Sequence, residues 1–156
     1  MKFLDKVLTV DPGLGTGYAY WSGTNSPMTG VYFVKRNKGD KDEIILQKVL
    51  LAFRQVIERF KPEKCYIEKM ETWAGSPTSM MSTLRGDLFL VQTIAAGYGT
   101  ICSMNNIEYH FLKAREWKGQ LPDTAVDLRI LRAINRKYPQ HVGSAVGMGL
   151  SIVGLL

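Results

Sequence analysis

Cysteine is scarce in this chain: Cys65 and Cys102 are the only two in 156 residues, and they form no Cys-x-x-Cys or His/Cys pattern. That argues against a disulfide framework and a zinc site, and it suits a reducing, cytoplasmic compartment. There is no run of about 18 apolar residues, so no membrane-spanning helix is expected. The start, Met1-Lys2-Phe3-Leu4-Asp5-Lys6, carries an acidic residue where a secretory signal needs an apolar core. Internal repeats, linkers and low-complexity stretches are also lacking, which leaves one domain over residues 1–156 as the expectation.

The composition is that of a globular protein, with 46% hydrophobic and 22% charged residues. Its formal charge is +6 and its pI near 9.4. An excess of Lys and Arg makes a polyanionic partner plausible, because such side chains release counterions when they neutralise phosphates. Their placement decides whether that partner is nucleic acid.

Along the chain, Val7 to Val10 is β-prone and ends at Asp11-Pro12-Gly13, where proline and glycine stop the strand and leave the aspartate at its carboxyl end. A glycine-rich turn through Gly15 and Gly17 leads to strands at Tyr18 to Trp21 and Val31 to Lys35, an antiparallel meander. From Asp42, apolar residues at Ile45, Val49, Ala52, Val56 and Phe60 follow helical spacing until Pro62. Lys64 to Glu68 is then a strand with a second carboxylate at its end. The intervening helix allows the strands bearing Asp11 and Glu68 to lie parallel and adjacent.

Glu71 to Thr83 is rich in Ser, Thr, Gly and Met and is expected to be a loop. Further elements are a helix over Leu84 to Met104, a strand at Glu108 to Leu112, a helix over Asp123 to Tyr138 capped by Asp123 or Thr124 and ended by Pro139, and a last helix over His141 to Leu156. The expected fold class is α/β, with three early antiparallel strands joined by parallel ones into a five-stranded mixed sheet flanked by helices.

Two strand-end carboxylates suit phosphodiester hydrolysis, which benefits from two hard cations roughly 4 Å apart, one polarising the attacking water and one the leaving oxygen. The plainer alternative makes Asp11 a turn residue and Glu68 a solvated strand end. Asp11 to Gly17 could instead cradle a phosphate, but the following strand disfavours a dinucleotide site. His141 and Ser144, three residues apart at a helix start, share a face, and either could equally be a capping or surface residue. Lys113, Arg115 and Lys118 form a basic group around Trp117. Arg129, Arg132, Arg136 and Lys137 form another, equally readable as a solvated face.

Val7 to Ala19 around Asp11, the strand Cys65-Tyr66-Ile67-Glu68, and the segment His141 to Leu150 together resemble the RuvC family of Holliday-junction resolvases. Leu84 to Asp87 and Glu116 to Pro122 are also similar to its small bacteriophage and bacterial members. The resemblance implies an RNase H-like fold and a homodimer packed through the helix after the Glu68 strand. It also implies paired, Mg2+- or Mn2+-dependent cuts in four-way DNA junctions during recombination and repair, in the host cytoplasm for a phage protein. In the family a third site of the form Asp- or His-x-x-Asp opens the last helix. His141 fits it, and Ser144 replaces the carboxylate.

The resemblance thus assigns catalysis to Asp11, Glu68 and His141, with Ser144 in the fourth position, and metal binding to the first three. Lys113, Arg115 and Lys118 would orient the DNA backbone, and Met70 or Trp73 would wedge into the junction. The missing carboxylate leaves three options: a variant in which Asp87 or a water compensates, an introduced substitution, or a relative that binds branched DNA without cutting. A ribonuclease acting on RNA–DNA hybrids would share the carboxylates.

Overall fold

In the computed structural model, which describes residues 3–71 and 87–156, one five-stranded sheet separates two helical layers. The strands are β1 (Asp5–Asp11), β2 (Gly15–Ser22), β3 (Met28–Phe33), β4 (Lys64–Lys69) and β5 (Glu108–Lys113), in the spatial order β3-β2-β1-β4-β5. β1 pairs antiparallel with β2, and β2 with β3, whereas β1–β4 and β4–β5 are parallel. The mixed sheet expected from the sequence is present.

Alternation along the strands assigns each layer its core. Leu8, Val10, Cys65 and Ile67 face helices α1 (Asp42–Phe60) and α2 (Asp87–Met104), packing with Ile45, Val49, Phe53, Ile94 and Tyr98. Phe53 stacks on Tyr98 with ring centroids 4.0 Å apart. Val7, Ala19 and Trp21 face the other way. They pack against α3 (Ala114–Trp117), α4 (Asp123–Ile134) and α5 (Gln140–Ile152) through Trp117, Val126, Ile130, Val146 and Met148. Being odd-numbered on β1, Asp11 belongs to this second face, and Glu68, even-numbered on β4 like the packed Tyr66, joins it.

Glycine lets α5 lie unusually close to the sheet. A Cβ on Gly17 would stand 2.2 Å from the His141 carbonyl, and one on Gly149 would stand 2.3 Å from the Trp21 ring. Gly15 and Gly17, expected in a turn, are therefore residues of β2, where the missing side chain is what the helix requires. Thr9, fully buried on β1, donates its hydroxyl to the Ala145 carbonyl at 2.7 Å and accepts the Trp21 indole N–H at 3.1 Å.

Several element boundaries depart from expectation: the third strand spans Met28–Phe33, not Val31 to Lys35, and the last helix ends at Ile152, not Leu156. The helix from Asp123 stops at Ile134, not Tyr138, because Asn135 turns left-handed (φ 57°) and its N–H bonds the Leu131 carbonyl at 2.8 Å. Pro139 consequently opens α5 as its N-cap, with Gly143 N–H on its carbonyl at 2.7 Å, and does not end α4. Pro122, not Asp123 or Thr124, is the α4 N-cap, so Asp123 is free to face elsewhere. Of the loop expected over Glu71 to Thr83 only Glu71 is described, and the helix expected from Leu84 is described from Asp87.

Candidate active site

The parallel register places Val10 opposite Ile67, so the next residues, Asp11 and Glu68, emerge side by side at the carboxyl ends of β1 and β4. The sheet ends there in an open cleft of about 780 Å³, lined by these carboxylates and by Met70, Glu71, Asp87, Arg115, Lys118, Asp123, His141 and Ser144, among others. Strand ends of this kind are where open α/β sheets place their ligands.

The β1–β2 turn that follows Asp11 is held rigidly. Thr16 donates its hydroxyl to the Gly13 carbonyl at 2.8 Å and lies 2.6 Å from the Tyr98 hydroxyl, which in turn lies 2.6 Å from that of Tyr32. With one proton per hydroxyl, the order that satisfies all three runs from Tyr32 to Tyr98 to Thr16 to Gly13. Burial pushes the Tyr32 phenol up to about 12, so the chain of hydroxyls stays neutral.

Glu68 is half-buried, and its Oε2 is buried with no hydrogen-bond partner. Burial, reinforced by the Asp11 charge, raises its carboxyl to about 7, with Lys118 and the Trp117 indole opposing and Asp123 adding to the rise. A buried carboxylate oxygen without a donor is costly unless a proton or a cation attends it. Across the cleft, His141 Nδ1 lies 3.0 Å from Asp11 Oδ2. That hydrogen bond holds the imidazole above its ordinary range against the opposing effect of burial, and the charges of Asp11 and Glu68 add to it.

The residues expected to carry function are thus largely brought together. Asp11, Glu68, His141 and Ser144 share the cleft, with Met70 at its rim and 43% exposed. The basic group is more committed than its sequence suggests. Lys113 and Arg115 both bridge Glu71, at 3.2 and 3.1 Å, and Lys118 bridges Asp123 at 2.7 Å. Trp117, read as part of that group, turns inward and is only 5% exposed, because residues 114–117 form a helical turn after β5. Trp73 lies outside the described residues.

Sequence reading missed Asp123 as a cleft residue and Glu71 as the bridge for two cations. Helix-start position concealed the first, and nothing in the local pattern signals the second. Among the described residues no three His, Cys, Asp or Glu side chains converge closely enough to form a ready-made metal cluster. Two carboxylates, one with an unpartnered oxygen, nevertheless fit a hard cation that keeps several waters and completes its shell with substrate phosphate. Among the described residues no helix is long and apolar enough to cross a membrane.

This sheet order and helix placement define an RNase H-like domain with the fold of RuvC-type resolvases. RuvC from T. thermophilus in complex with a Holliday junction substrate superposes with a TM-score of 0.67 over 93% of this chain and 90% of its own, at 15% identity. Thermus thermophilus RuvC in a second structure gives 0.63 over 93% and 91%, at 14% identity. The yeast mitochondrial Holliday junction resolvase Ydc2 gives 0.56 over 96% and 80%, at 11% identity. No family model and no curated protein sequence matches the chain. At these identities the likeness is one of fold.

Proposed function

We propose that the chain is a divalent-metal-dependent, structure-selective DNA endonuclease that resolves four-way junctions. The observation that carries this reading is the pair of strand-end carboxylates Asp11 and Glu68 in an open cleft, with Glu68 Oε2 buried and unpartnered. The fold it shares with a RuvC bound to a Holliday junction supports branched DNA as the substrate.

Asp11 and Glu68 would hold Mg2+ or Mn2+, with His141 contributing Nε2 while its Nδ1 stays on Asp11, an arrangement in which a carboxylate orients a ligating imidazole. Such a cation supplies Lewis acidity for in-line attack of water on phosphorus. Lys113, Arg115 and Lys118 orient the phosphate backbone, exchanging Glu71 and Asp123 for phosphate oxygens as DNA enters. Met70, exposed at the cleft rim, is placed to probe the junction, a role that Trp73 would share. Ser144 contributes a neutral hydroxyl in place of a charge. Paired cuts in strands of like polarity require two such sites, hence a homodimer. Two buried free thiols suit a reducing cytoplasm.

A second reading, a branched-DNA-binding protein that does not cut, is favoured by one observation: Ser144, at the position where the resemblance expects a carboxylate, lines the cleft with a neutral side chain. Incubating labelled synthetic four-way junctions with Mg2+ or Mn2+ and either this chain or its Ser144→Asp variant separates the two. Symmetric nicks by either protein support the nuclease. Tight junction binding with no cutting by both selects the binding protein, and preferential cleavage of RNA–DNA hybrids would redirect the substrate.

A further inference from the structure

A lone exposed phenylalanine needs no explanation. Phe33 differs in where it stands and in how it is held. The β2–β3 register pairs Gly15 with Phe33 and Gly17 with Val31, and Gly17 also stands opposite Asp11, so β3 ends at the same edge of the sheet as β1. Paired residues share a face, and Gly17 is where α5 meets β2, so Phe33 projects to the side that carries His141. Its ring lies over Gly15: a Cβ there would stand 2.6 Å from Phe33 Cε1, 2.9 Å from its Cδ1 and 3.3 Å from His141 Cδ2. The phenyl and imidazole rings are therefore neighbours, and both Gly15 and His141 line the cleft. With one flank seated on a glycine, Phe33 is nevertheless 72% exposed, the most of any aromatic side chain among the described residues.

We propose that Phe33 is a stacking platform for a nucleobase of the bound DNA, taking a base that has left its neighbours close to the phosphate held at Asp11. The inference rests on the DNA-cleaving reading of the cleft and deepens it by naming what stands beside the cut. Every base has a π face, so an aromatic ring held in place accepts one whatever its identity. Two strand spacings, about 10 Å, separate Phe33 from β1, roughly the rise of three stacked nucleotides. The segment that follows suits a phosphate backbone: Lys35 and Lys38 are exposed and form no ion pair among the described residues, whereas Arg36 is bridged to Asp42. Met70 follows β4 and Phe33 lies beyond β2, so the two exposed side chains flank the carboxylates from opposite sides. Covering Gly15 stabilises the strand pair. It occupies one flank of the ring and leaves the other for a base.

The test measures binding of the full chain in EDTA, apart from cleavage, by fluorescence anisotropy on synthetic four-way junctions. Each junction carries one abasic nucleotide, moved a position at a time through about three nucleotides on either side of the exchange point. For the unsubstituted chain, one position is expected to weaken binding about tenfold, as loss of a single stacked base does. Phe33→Leu should weaken binding to the intact junction by a similar factor and ignore the abasic nucleotide at that position, while Phe33→Trp keeps both the affinity and the dependence. Equal binding by Phe33→Leu and the unsubstituted chain overturns the proposal. So does a loss in Phe33→Leu that is the same at every abasic position, which would leave the ring as a cover for Gly15 alone. A single-stranded thymidine oligonucleotide, whose bases need no unstacking, separates this inference from the junction reading. Should the unsubstituted chain bind it as tightly as the junction, the junction reading fails, and a tenfold loss in Phe33→Leu with retention in Phe33→Trp keeps the platform. Binding to neither DNA sinks both.

Discussion

His141, at the start of α5, reaches across the cleft to Asp11 at the end of β1, with Nδ1 3.0 Å from Oδ2. Together with the Thr9–Ala145 hydrogen bond, this contact joins the last helix to the first strand, its two residues 130 apart, at the point where Gly17 admits the helix backbone. Asp11 thus bonds His141 while its charge opposes ionisation of the neighbouring Glu68.

Gly17 is the position on which that geometry depends. Gly17→Ala would drive a methyl group into the His141 carbonyl, so α5 must lift away from β2. Overpacking of this kind costs about 1–3 kcal/mol. The expected outcome is a lower midpoint in urea unfolding together with loss of junction cleavage, whereas unchanged cleavage would show that the His141 approach is dispensable.

Stability should fall as pH rises through the acid range. The folded-state carboxyl of Glu68 is raised from 4.5 to about 7, so between these values the native state binds more protons than the unfolded chain. Stability contributed by the protonated form is present below pH 4.5 and lost by pH 7, amounting to about 3 kcal/mol. His141, also raised, acts in the same direction above its unfolded value of 6.5, through its bond to Asp11. Urea denaturation of Glu68→Gln between pH 4.5 and 8 should show a flatter profile and greater stability than the unsubstituted chain at pH 8. An unchanged slope would remove Glu68 as its source.

Adding a carboxylate at position 144 should strengthen the cation site. Ser144→Asp is expected to raise Mn2+ affinity by about tenfold through added ligand charge, measured by calorimetry at pH 8. The same variant should be less stable than the parent without cation, since a third acid joins Asp11 and Glu68 in one half-buried cleft. Equal affinity in both proteins would mean that Ser144 lies beyond the reach of the site.

The cations bridged to Glu71 and Asp123 predict a particular salt response. If Lys113 and Arg115 transfer from Glu71 to phosphate, each single alanine substitution should reduce the slope of log affinity against log salt by about 1. Glu71→Ala, which frees both, should tighten junction binding. Fluorescence anisotropy across a salt series checks this, and slopes that do not change would keep these side chains off the DNA.

The sequence by itself determined the local elements and their order. Helical spacing from Ile45 to Phe60, the Asp11-Pro12-Gly13 stop and the strand ending at Glu68 all depend on neighbours close along the chain, and β1, α1 and β4 follow them closely. The joint placement of Asp11 and Glu68 was partly legible, because a helix before the Glu68 strand allows its parallel pairing with the first strand, a pairing that the sheet then adopts. Local signals failed where a residue's task lies in another element. Gly17 reads as turn until α5 lies upon it, and Trp117 reads as set among a basic group until its ring packs beside Gly147. Asp123 reads as a cap until Pro122 takes that place. Burial and partner choice are properties of packed surfaces brought together from distant parts of the chain. Only the tertiary structure could therefore decide that Glu68 is held near neutral pH, that His141 turns Nδ1 to Asp11, and that the nearby cations are already paired.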